Sequence, residues 1–339
     1  MNTKFGVAST ALALLVCACG QGTSSVQDRL ASAGGCGEVQ ADDGPGAGGA
    51  GSHGQPQRTD GDVQITQEGS DVVARQLVSI VNDFGGAASG NVTLTTTNGD
   101  VLDCVRGNGG YRTNVHLEGR GSTEQEARAA LASMSVTHND MLTAGTLRLS
   151  TTVQFSNGSS GSGGGISLPP VTGTGGSSTS TSNLRRSASI VAGLPSAPSY
   201  AFNDSTTNGD VLASGFSGSN AQLSTTEGDI GLDGNWAQST LSTSDGDIAA
   251  QLRTSQSGSH NVSTTNGSID VGLATSGTPG LDLSASTTNG NAAINVAGTD
   301  PVGEQTATSA HRQSPGYSSS AVKVSVGANS TNGDVTIHD

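Results

Sequence analysis

Aromatic and basic residues are scarce in this sequence of 339 residues. Aromatic side chains make up only 3% of the chain, which removes the residues that contribute most buried area to an ordinary globular core. Lys and Arg number 14 against 28 Asp and Glu, and the formal net charge is −14. Phosphate binding depends on clustered basic side chains, so we expect no nucleic-acid partner and no polybasic membrane-binding surface.

Cysteine is scarce as well, with four residues, and two of them end an N-terminal apolar stretch. The segment "FGVASTALALLVCA" follows Lys4 and is too short to span a bilayer. Its end, "VCACG", is similar to a bacterial lipoprotein signal, which predicts a signal peptide over residues 1–18 and a lipid-bearing Cys19. A plain secretory signal is the alternative. The first interpretation predicts an exported protein that its lipid anchor holds at the cell envelope, on the outer membrane or the cell surface.

The other two cysteines, Cys36 and Cys104, predict a disulfide. An even pair in an exported chain is more often bridged than metal-bound, and neither residue belongs to a CxxC motif or a His cluster. Residues 19–58 are rich in Gly and polar residues and predict a flexible tether. A Cys36–Cys104 bridge would fasten this tether to the folded part.

Strand patterns and one helix are expected over residues 59–155. The helix is predicted near 123–134, where Ser122 or Thr123 can cap it and Gln125 or Glu126 can complete a capping box. Apolar residues recur there at helical spacing and predict a core-facing stripe. Residues 156–185 are rich in Ser, Gly and Thr, and their Gly-rich runs lack the Gly-Lys-Ser/Thr ending of a phosphate loop. We interpret this segment as a flexible insertion.

Glycine is abundant, with 51 residues, and it marks a repeat in the last part of the chain, 186–339. Variants of "STTNGDV" recur, with aliphatic residues two after, four after and five before the Gly. Successive motif glycines are 19, 18, 21, 23 and then 43 residues apart, and the last spacing predicts one degenerate repeat or an outlying loop. Gly61 and Gly99 are candidates for earlier copies of the motif. Periods near 20 indicate a stacked architecture. The predicted corner residues are Gly209, Gly228, Gly246, Gly267, Gly290 and Gly333.

Two architectures fit this pattern. Each repeat of about 20 residues can be one coil of a β-solenoid, with like positions about 4.8 Å apart, or a hairpin of an antiparallel sheet. In-register repetition of one residue type at one offset favours stacking. The sequence therefore predicts an all-β fold, a β-solenoid or β-helix-like stack with one short helix in the N-terminal part.

The repeats and their surroundings resemble a known group. The form T-x-N-G-D-[VI], the segment "GSTEQEARAALASMSV" and the lead-in "LPSAPSYAFNDSTTNGDV" are similar to bacterial adhesin-like domains with β-strand repeats, a family without an established biochemical activity. The resemblance covers 59–339 apart from 156–182. It implies an exported β-repeat protein and supplies no catalytic residues that could be carried over.

Two sets of polar residues recur in register and are candidate sites. Carboxylates that stack in successive coils repel one another unless a cation bridges them, and calcium takes such oxygens; the alternative is that these residues only shape turns. The Ser/Thr runs, such as 224–226, can match sugar hydroxyls or ordered water, or can be ordinary strand residues beside a turn. The candidate calcium ligands are Asp210, Asp229, Asp247 and Asp334.

No catalytic constellation recurs in register, since the six His residues are scattered. We expect a non-enzymatic cell-envelope lipoprotein that acts as an adhesin-like binding or structural module. Its partners would be the membrane, through the lipid, and a surface ligand or envelope polymer of unknown identity. Calcium is the one cofactor considered. The alternative is a carbohydrate-active β-helix enzyme acting on an extracellular polysaccharide, which rests on fold analogy alone.

Overall fold

The computed structural model describes residues 55–83, 87–106, 110–156, 185–195 and 199–339. The predicted signal peptide, nearly all of the tether and the Ser/Gly/Thr-rich insertion lie outside these residues. Within these described residues one helix, α1 (Glu124–Ala132), and a 3₁₀ turn at Tyr317–Ser319 interrupt a fold that is otherwise built of strands. The strands are β1 (Gln57–Asp60), β2 (Gln64–Glu68), β3 (Asp71–Asp83), β4 (Ser89–Thr95), β5 (Val101–Arg106), β6 (Gly110–Gly121), β7 (Met134–Thr143), β8 (Thr146–Phe155), β9 (Arg185–Pro195), β10 (Ser199–Ser205), β11 (Val211–Ser224), β12 (Ile230–Trp236), β13 (Gln238–Ser242), β14 (Ile248–Arg253), β15 (Gly258–Asn266), β16 (Ile269–Ala274), β17 (Gly280–Asn289), β18 (Ala292–Asn295), β19 (Asp300–Pro301), β20 (Ser309–Gln313), β21 (Lys323–Asn332) and β22 (Val335–His338).

Two parallel ladders form the solenoid. The first ladder contains the strands that follow the repeat motif, in the spatial order β9, β5, β11, β12, β14, β16, β22, β18. The second ladder contains the strands that lead into the motif, in the order β8, β4, β10, β11, β13, β15, β21, β17. The long strand β11 takes part in both. The parallel pairing confirms the solenoid and rules out the hairpin alternative.

Antiparallel strands close both ends. At one end β6 pairs with β9 and β3, which in turn pairs with β1 and β2, and β7 pairs with β8. At the other end β20 pairs with β17 and β19. These strands cover ladder edges that would otherwise present a row of unpaired backbone groups.

The order of the layers differs from the order of the sequence at two places. Residues 89–106 form a layer between the strands of 146–195 and those of 199–218, so the solenoid extends beyond residues 186–339. The last repeat, at Gly333, lies between the repeats of Gly267 and Gly290. The expectation of a degenerate repeat or loop for the 43-residue spacing was therefore incomplete. After the repeat of Gly290 the chain passes through β19, β20 and the 3₁₀ turn and comes back to the solenoid. The final repeat then forms the layer between those of Gly267 and Gly290.

The core lies between the two ladders and combines small and branched side chains with a cluster of aromatic rings formed by Tyr200, Phe202, Phe216 and Trp236. Residues two after the motif Gly, such as Val211 and Ile230, are at most 1% exposed except for Ala292 in the end layer, which is half-buried, and Leu223 and Leu241, five before the Gly, are fully buried. Burial of the same offsets in successive layers follows from the period of two in a strand. The predicted inward face is confirmed.

The helix covers the inner face of the capping strands. Thr123 caps it by accepting a hydrogen bond from the Glu126 amide at 3.2 Å, and the Glu126 carboxylate accepts one from the Ser122 amide at 2.8 Å. Ala127, Ala130 and Leu131 are fully buried. The cap at Thr123 and the apolar stripe are as predicted, whereas the Glu126 carboxylate bonds to Ser122 and not to the amide of the capping residue. Within the described ranges no helix is long and apolar enough to cross a bilayer.

Candidate functional site

The motif glycines form a continuous column along one corner of the solenoid. In spatial order the column runs Gly99, Gly209, Gly228, Gly246, Gly267, Gly333, Gly290. The amide of each glycine donates to the carbonyl of the residue before the next glycine, at 2.7–3.0 Å. A Cβ would overlap the carbonyl of the neighbouring layer at every one of these positions. The glycines are therefore packing residues, and Gly61, which bonds to Leu77 in the antiparallel cap, is not among them.

The first Thr of "TTNG", three residues before the glycine, is an interior hydrogen-bond donor. Thr225 is 7% exposed, and its hydroxyl donates to the carbonyl of Gly209 in the adjacent layer at 2.9 Å. Thr206, Thr243, Thr264, Ser330 and Thr287 make the same bond at 2.9–3.0 Å. This column joins the layers at the corner. Because its hydroxyls donate to backbone carbonyls in the interior, they are not part of a surface that could bind a ligand.

The aspartates after the glycine form a second column of side-chain-to-backbone bonds. The carboxylate of Asp210 accepts from the amide of Asp229 at 2.8 Å, and that of Asp229 accepts from the amide of Asp247 at 2.8 Å. Asp247 bonds to the Ser268 amide and Asp334 to the Asn291 amide in the same way. These bonds run between layers and are not the local turn bonds expected of Asp beside Gly, so the acids join successive coils. Within the described residues, no three His, Cys, Asp or Glu side chains converge on a point that could hold a metal ion.

An amide column, which the sequence analysis did not single out, lies beside the glycines. The Asn332 side chain donates to that of Asn266 at 2.7 Å and accepts from that of Asn289 at 2.8 Å. Asn266 donates to the Asp245 carboxylate at 2.6 Å. The recurrence of Asn directly before the motif Gly was the available signal, since stacked amides can pair along a column.

The outer surface of the second ladder carries no charge in its three central columns, and we call these columns the neutral face. Its positions lie six, four and two residues before the motif Gly of the six repeats from 209 to 333, and all of them are exposed or half-buried. The parallel registers align them across six layers. The columns are Asn203, Gln222, Thr240, Asn261, Gly327 and Ser284; Ser205, Ser224, Ser242, Ser263, Asn329 and Ser286; and Thr207, Thr226, Ser244, Thr265, Thr331 and Thr288.

The outer surface of the first ladder differs from the neutral face. Arg253 pairs there with Asp233 at 3.1 Å, and His338 pairs with Asp270 at 3.1 Å. The outer surface of the first ladder therefore carries ion pairs, whereas the three columns of the neutral face are uncharged. The pair formed by Asp282 and His311 lies beside these columns at one end of the second ladder.

Two histidines of the described residues lie beside buried hydroxyls, and one of them, His138, also lies 2.9 Å from the Tyr111 hydroxyl through Nε2. Ser239 is 1% exposed and lies 2.9 Å from His260 Nδ1, while Thr151 is fully buried and lies 2.8 Å from His138 Nδ1. Burial lowers the pKa of both histidines to about 4. Both imidazoles are therefore uncharged near neutral pH, His260 as a buried group and His138 as a half-buried one. The single Trp, Trp236, is also buried, so it offers no surface for stacking a sugar.

Cys104 is buried and disulfide-bonded. Its predicted partner, Cys36, lies outside the described residues, as does the predicted lipidation site, Cys19. The pairing of Cys104 with Cys36 therefore stays a prediction.

The stacked repeats are also recognised by comparison with known families. Residues 171–338 match the family described as Toastrack DUF4097. This part of the chain is a Toastrack domain. The family confirms the predicted likeness to β-repeat domains of unknown function and the β-solenoid fold. No curated protein matches the sequence at a significant level.

Two solved structures are similar to the chain over most of its length. The first is described as a "putative cell adhesion protein" from Clostridium sporogenes ATCC 15579; it is 14% identical, with a TM-score of 0.35, and the match covers 84% of this chain and 99% of that one. The second is described as a "putative adhesin" from Bacteroides fragilis NCTC 9343; it is 9% identical, with a TM-score of 0.26, and the match covers 77% and 96%. Likenesses at this level carry no argument about function beside the Toastrack assignment.

Proposed function

We propose that this chain is an exported lipoprotein that presents its Toastrack solenoid at the cell envelope as a non-enzymatic, adhesin-like binding module. The N-terminal segment ending at Cys19 supports export and lipid attachment. The Gly-rich residues up to 58 would let the solenoid stand away from the membrane.

The neutral face is the observation that carries the binding part of the proposal. None of its 18 positions is charged, although the chain has 28 acids and 14 bases. Hydroxyl and amide side chains both donate and accept hydrogen bonds, and covering them costs less desolvation than covering charges. The complementary partner is an uncharged, hydroxyl-rich polymer such as a neutral envelope polysaccharide.

Binding can be tested with the full mature chain and insoluble neutral polysaccharides in a sedimentation assay. Gln222→Glu, Thr240→Glu and Asn261→Glu together place three adjacent charges on the neutral face, and we expect at least tenfold weaker binding. The matched control is Gln251→Glu with Thr336→Glu, which adds charges to the outer surface of the first ladder and should leave binding unchanged. Equal binding by both variants would remove the neutral face from the proposal.

Lipid attachment is tested separately by metabolic labelling with a fatty acid in the producing cell. We expect the wild-type chain to carry the label and to be found in the membrane fraction. The Cys19→Ser variant should carry no label and should be absent from that fraction. Persistent label in that variant would contradict the anchor without bearing on the binding face.

A further inference from the structure

Two carboxyl groups occupy the core of the layer formed by residues 89–106 and the adjoining β10. Asp103, on β5, is 2% exposed, and Asp204, on β10, is fully buried. On the next strand of each ladder, the residue beside Asp103 is Ala213 and the residue beside Asp204 is Leu223. Asp103 lies four residues after a motif Gly and Asp204 five residues before one. Later repeats have aliphatic residues at these positions, such as Leu232 and Leu241. The pair spans the core from the first ladder to the second.

The partners of these carboxyls are few. One oxygen of Asp204 accepts a hydrogen bond from the Leu94 amide at 2.8 Å, where the backbone pairing of β4 with β10 is interrupted. Among the described residues the other oxygen of Asp204 and both oxygens of Asp103 accept no hydrogen bond, and the two carboxyls lie close enough for the charge of Asp204 to raise the pKa of Asp103. Two neighbouring carboxylates that are both ionised and buried repel each other, and each can only accept hydrogen bonds, so a proton on one of them removes the repulsion and supplies a donor.

The neighbouring strands supply little compensating charge. Strands β4 and β11 carry no charged residue, and on β10 the Tyr200 hydroxyl donates to the Pro195 carbonyl at 2.7 Å. Arg106 lies buried three residues further along β5. On β9 the charged residues are at the far end, where Arg185 pairs with Asp71 and Arg186 donates to the Ser156 carbonyl.

We infer that Asp103 and Asp204 share a proton and form a pH-sensitive lock, which fastens the two ladders to each other in this layer and weakens as the surroundings become alkaline. The lock adjoins Cys104, whose disulfide leads out of the described residues. It also lies where the capping strands meet the repeats, since β5 pairs with β9 on one side and β11 on the other.

The direction of the pH effect follows from where the protons are bound. Burial raises the pKa of Asp103 well above 3.8, with the Asp204 charge adding to the effect, and burial raises the pKa of Asp204 to about 7. The folded protein therefore holds protons that the unfolded chain releases above pH 3.8. Stability from the pair is fully present below that pH and is lost as the pH rises through about 7 and beyond. His138 and His260 act in the opposite direction, but only below their unfolded pKa of 6.5, so the effect of the pair is measured above pH 6.5.

Unfolding of the full mature chain between pH 6.5 and 8.5 tests the lock. We expect the unfolding equilibrium constant of the wild type to rise about tenfold per pH unit for each proton released. Asp103→Asn with Asp204→Asn keeps the size of both side chains and removes both titrations, and the amide oxygen introduced at position 204 can still accept from the Leu94 amide. The curve of this double variant should therefore be flat over this range. A variant that keeps the wild-type slope would overturn the inference.

A measurement on the folded wild type decides the question even where the double variant does not fold. Infrared difference spectra with isotope-labelled Asp should show a protonated carboxyl at pH 7.5. The single variants Asp103→Asn and Asp204→Asn identify the band by its loss or shift. A folded wild type with only ionised aspartates at this pH would overturn the shared proton.

Discussion

The backbone amide of Gly267 donates to the carbonyl oxygen of Asn332 at 2.9 Å, and the amide of Gly333 donates in turn to Asn289 at 3.0 Å. The last repeat of the chain is thus an interior layer with a parallel partner on each side. Its strands β21 and β22 pair with β15 and β17 and with β16 and β18.

This position predicts unusual protection from hydrogen exchange near the C-terminus. Terminal segments usually fray, but the amides of Val326, Ala328 and Ile337 should exchange as slowly as that of Val262 in β15, because each lies inside a ladder. Native-state exchange followed by mass spectrometry measures this. The edge strand β18 is the internal comparison and should exchange faster; early exchange of β22 instead would contradict the inserted layer.

The glycine column predicts a sharp difference between two Gly→Ala substitutions. At Gly228 the φ is +149° and a Cβ would overlap the carbonyl oxygen of Gly209, so we expect a loss of about 3 kcal/mol or more from strain and overlap together. At Gly277 the φ is +75° and no atom lies within 4 Å of an added Cβ, so only the backbone cost of about 1–2 kcal/mol applies. Denaturant unfolding compares the two. Equal losses would show that the layers relax around the added methyl group.

The buried hydroxyl column predicts that two adjacent threonines differ in importance. Thr225→Val keeps the shape of the side chain and removes its bond to the Gly209 carbonyl, which should cost about 1–2 kcal/mol. Thr226→Val, one residue on and exposed on the neutral face, should change the free energy of unfolding by less than about 0.5 kcal/mol. A Thr225→Val protein as stable as the wild type would show that water replaces the lost donor.

The repeat sequence predicted the ladders but not the order of their layers. Aliphatic residues such as Ile230 and Ile248 recur at one offset, and burial selects the strand face that they share. The edge of every coil offers the same backbone groups, so nothing in the motif at Gly333 distinguishes the open layer beside Gly267 from the end of the stack. Gly99 belonged to the column and Gly61 did not, because the sequence around Gly61 pairs in an antiparallel cap.

The candidate sites show the same contrast between a pattern and its surroundings. The acids at Asp210 and its counterparts were conspicuous because they recur, yet backbone amides account for them. Asp103 and Asp204 do not recur, and the sequence analysis missed them. The signal was present, since each is an acid at an offset where other repeats have an aliphatic residue. Only the fold shows that the two offsets face each other across the core.

The buried histidine of the second ladder predicts a loss of stability in acid. Burial lowers the pKa of His260 to about 4 from 6.5, so its contribution is present above pH 6.5 and is lost as the pH falls toward 4. In the register, Ala221 lies beside Ser239 and Val326 lies beside His260. Ser239→Ala with His260→Val therefore copies the neighbouring layers and leaves no polar group unpaired at this site.

We expect this double variant to resist acid better than the wild type. The ratio of the two unfolding equilibrium constants should change about tenfold per pH unit between pH 6.5 and 4, because the wild type must take up one additional proton on unfolding. The Asp103–Asp204 pair and His138 are present in both proteins, so the ratio isolates His260. Urea unfolding at several pH values gives it, and a ratio that does not depend on pH would mean that His260 is already protonated in the folded protein.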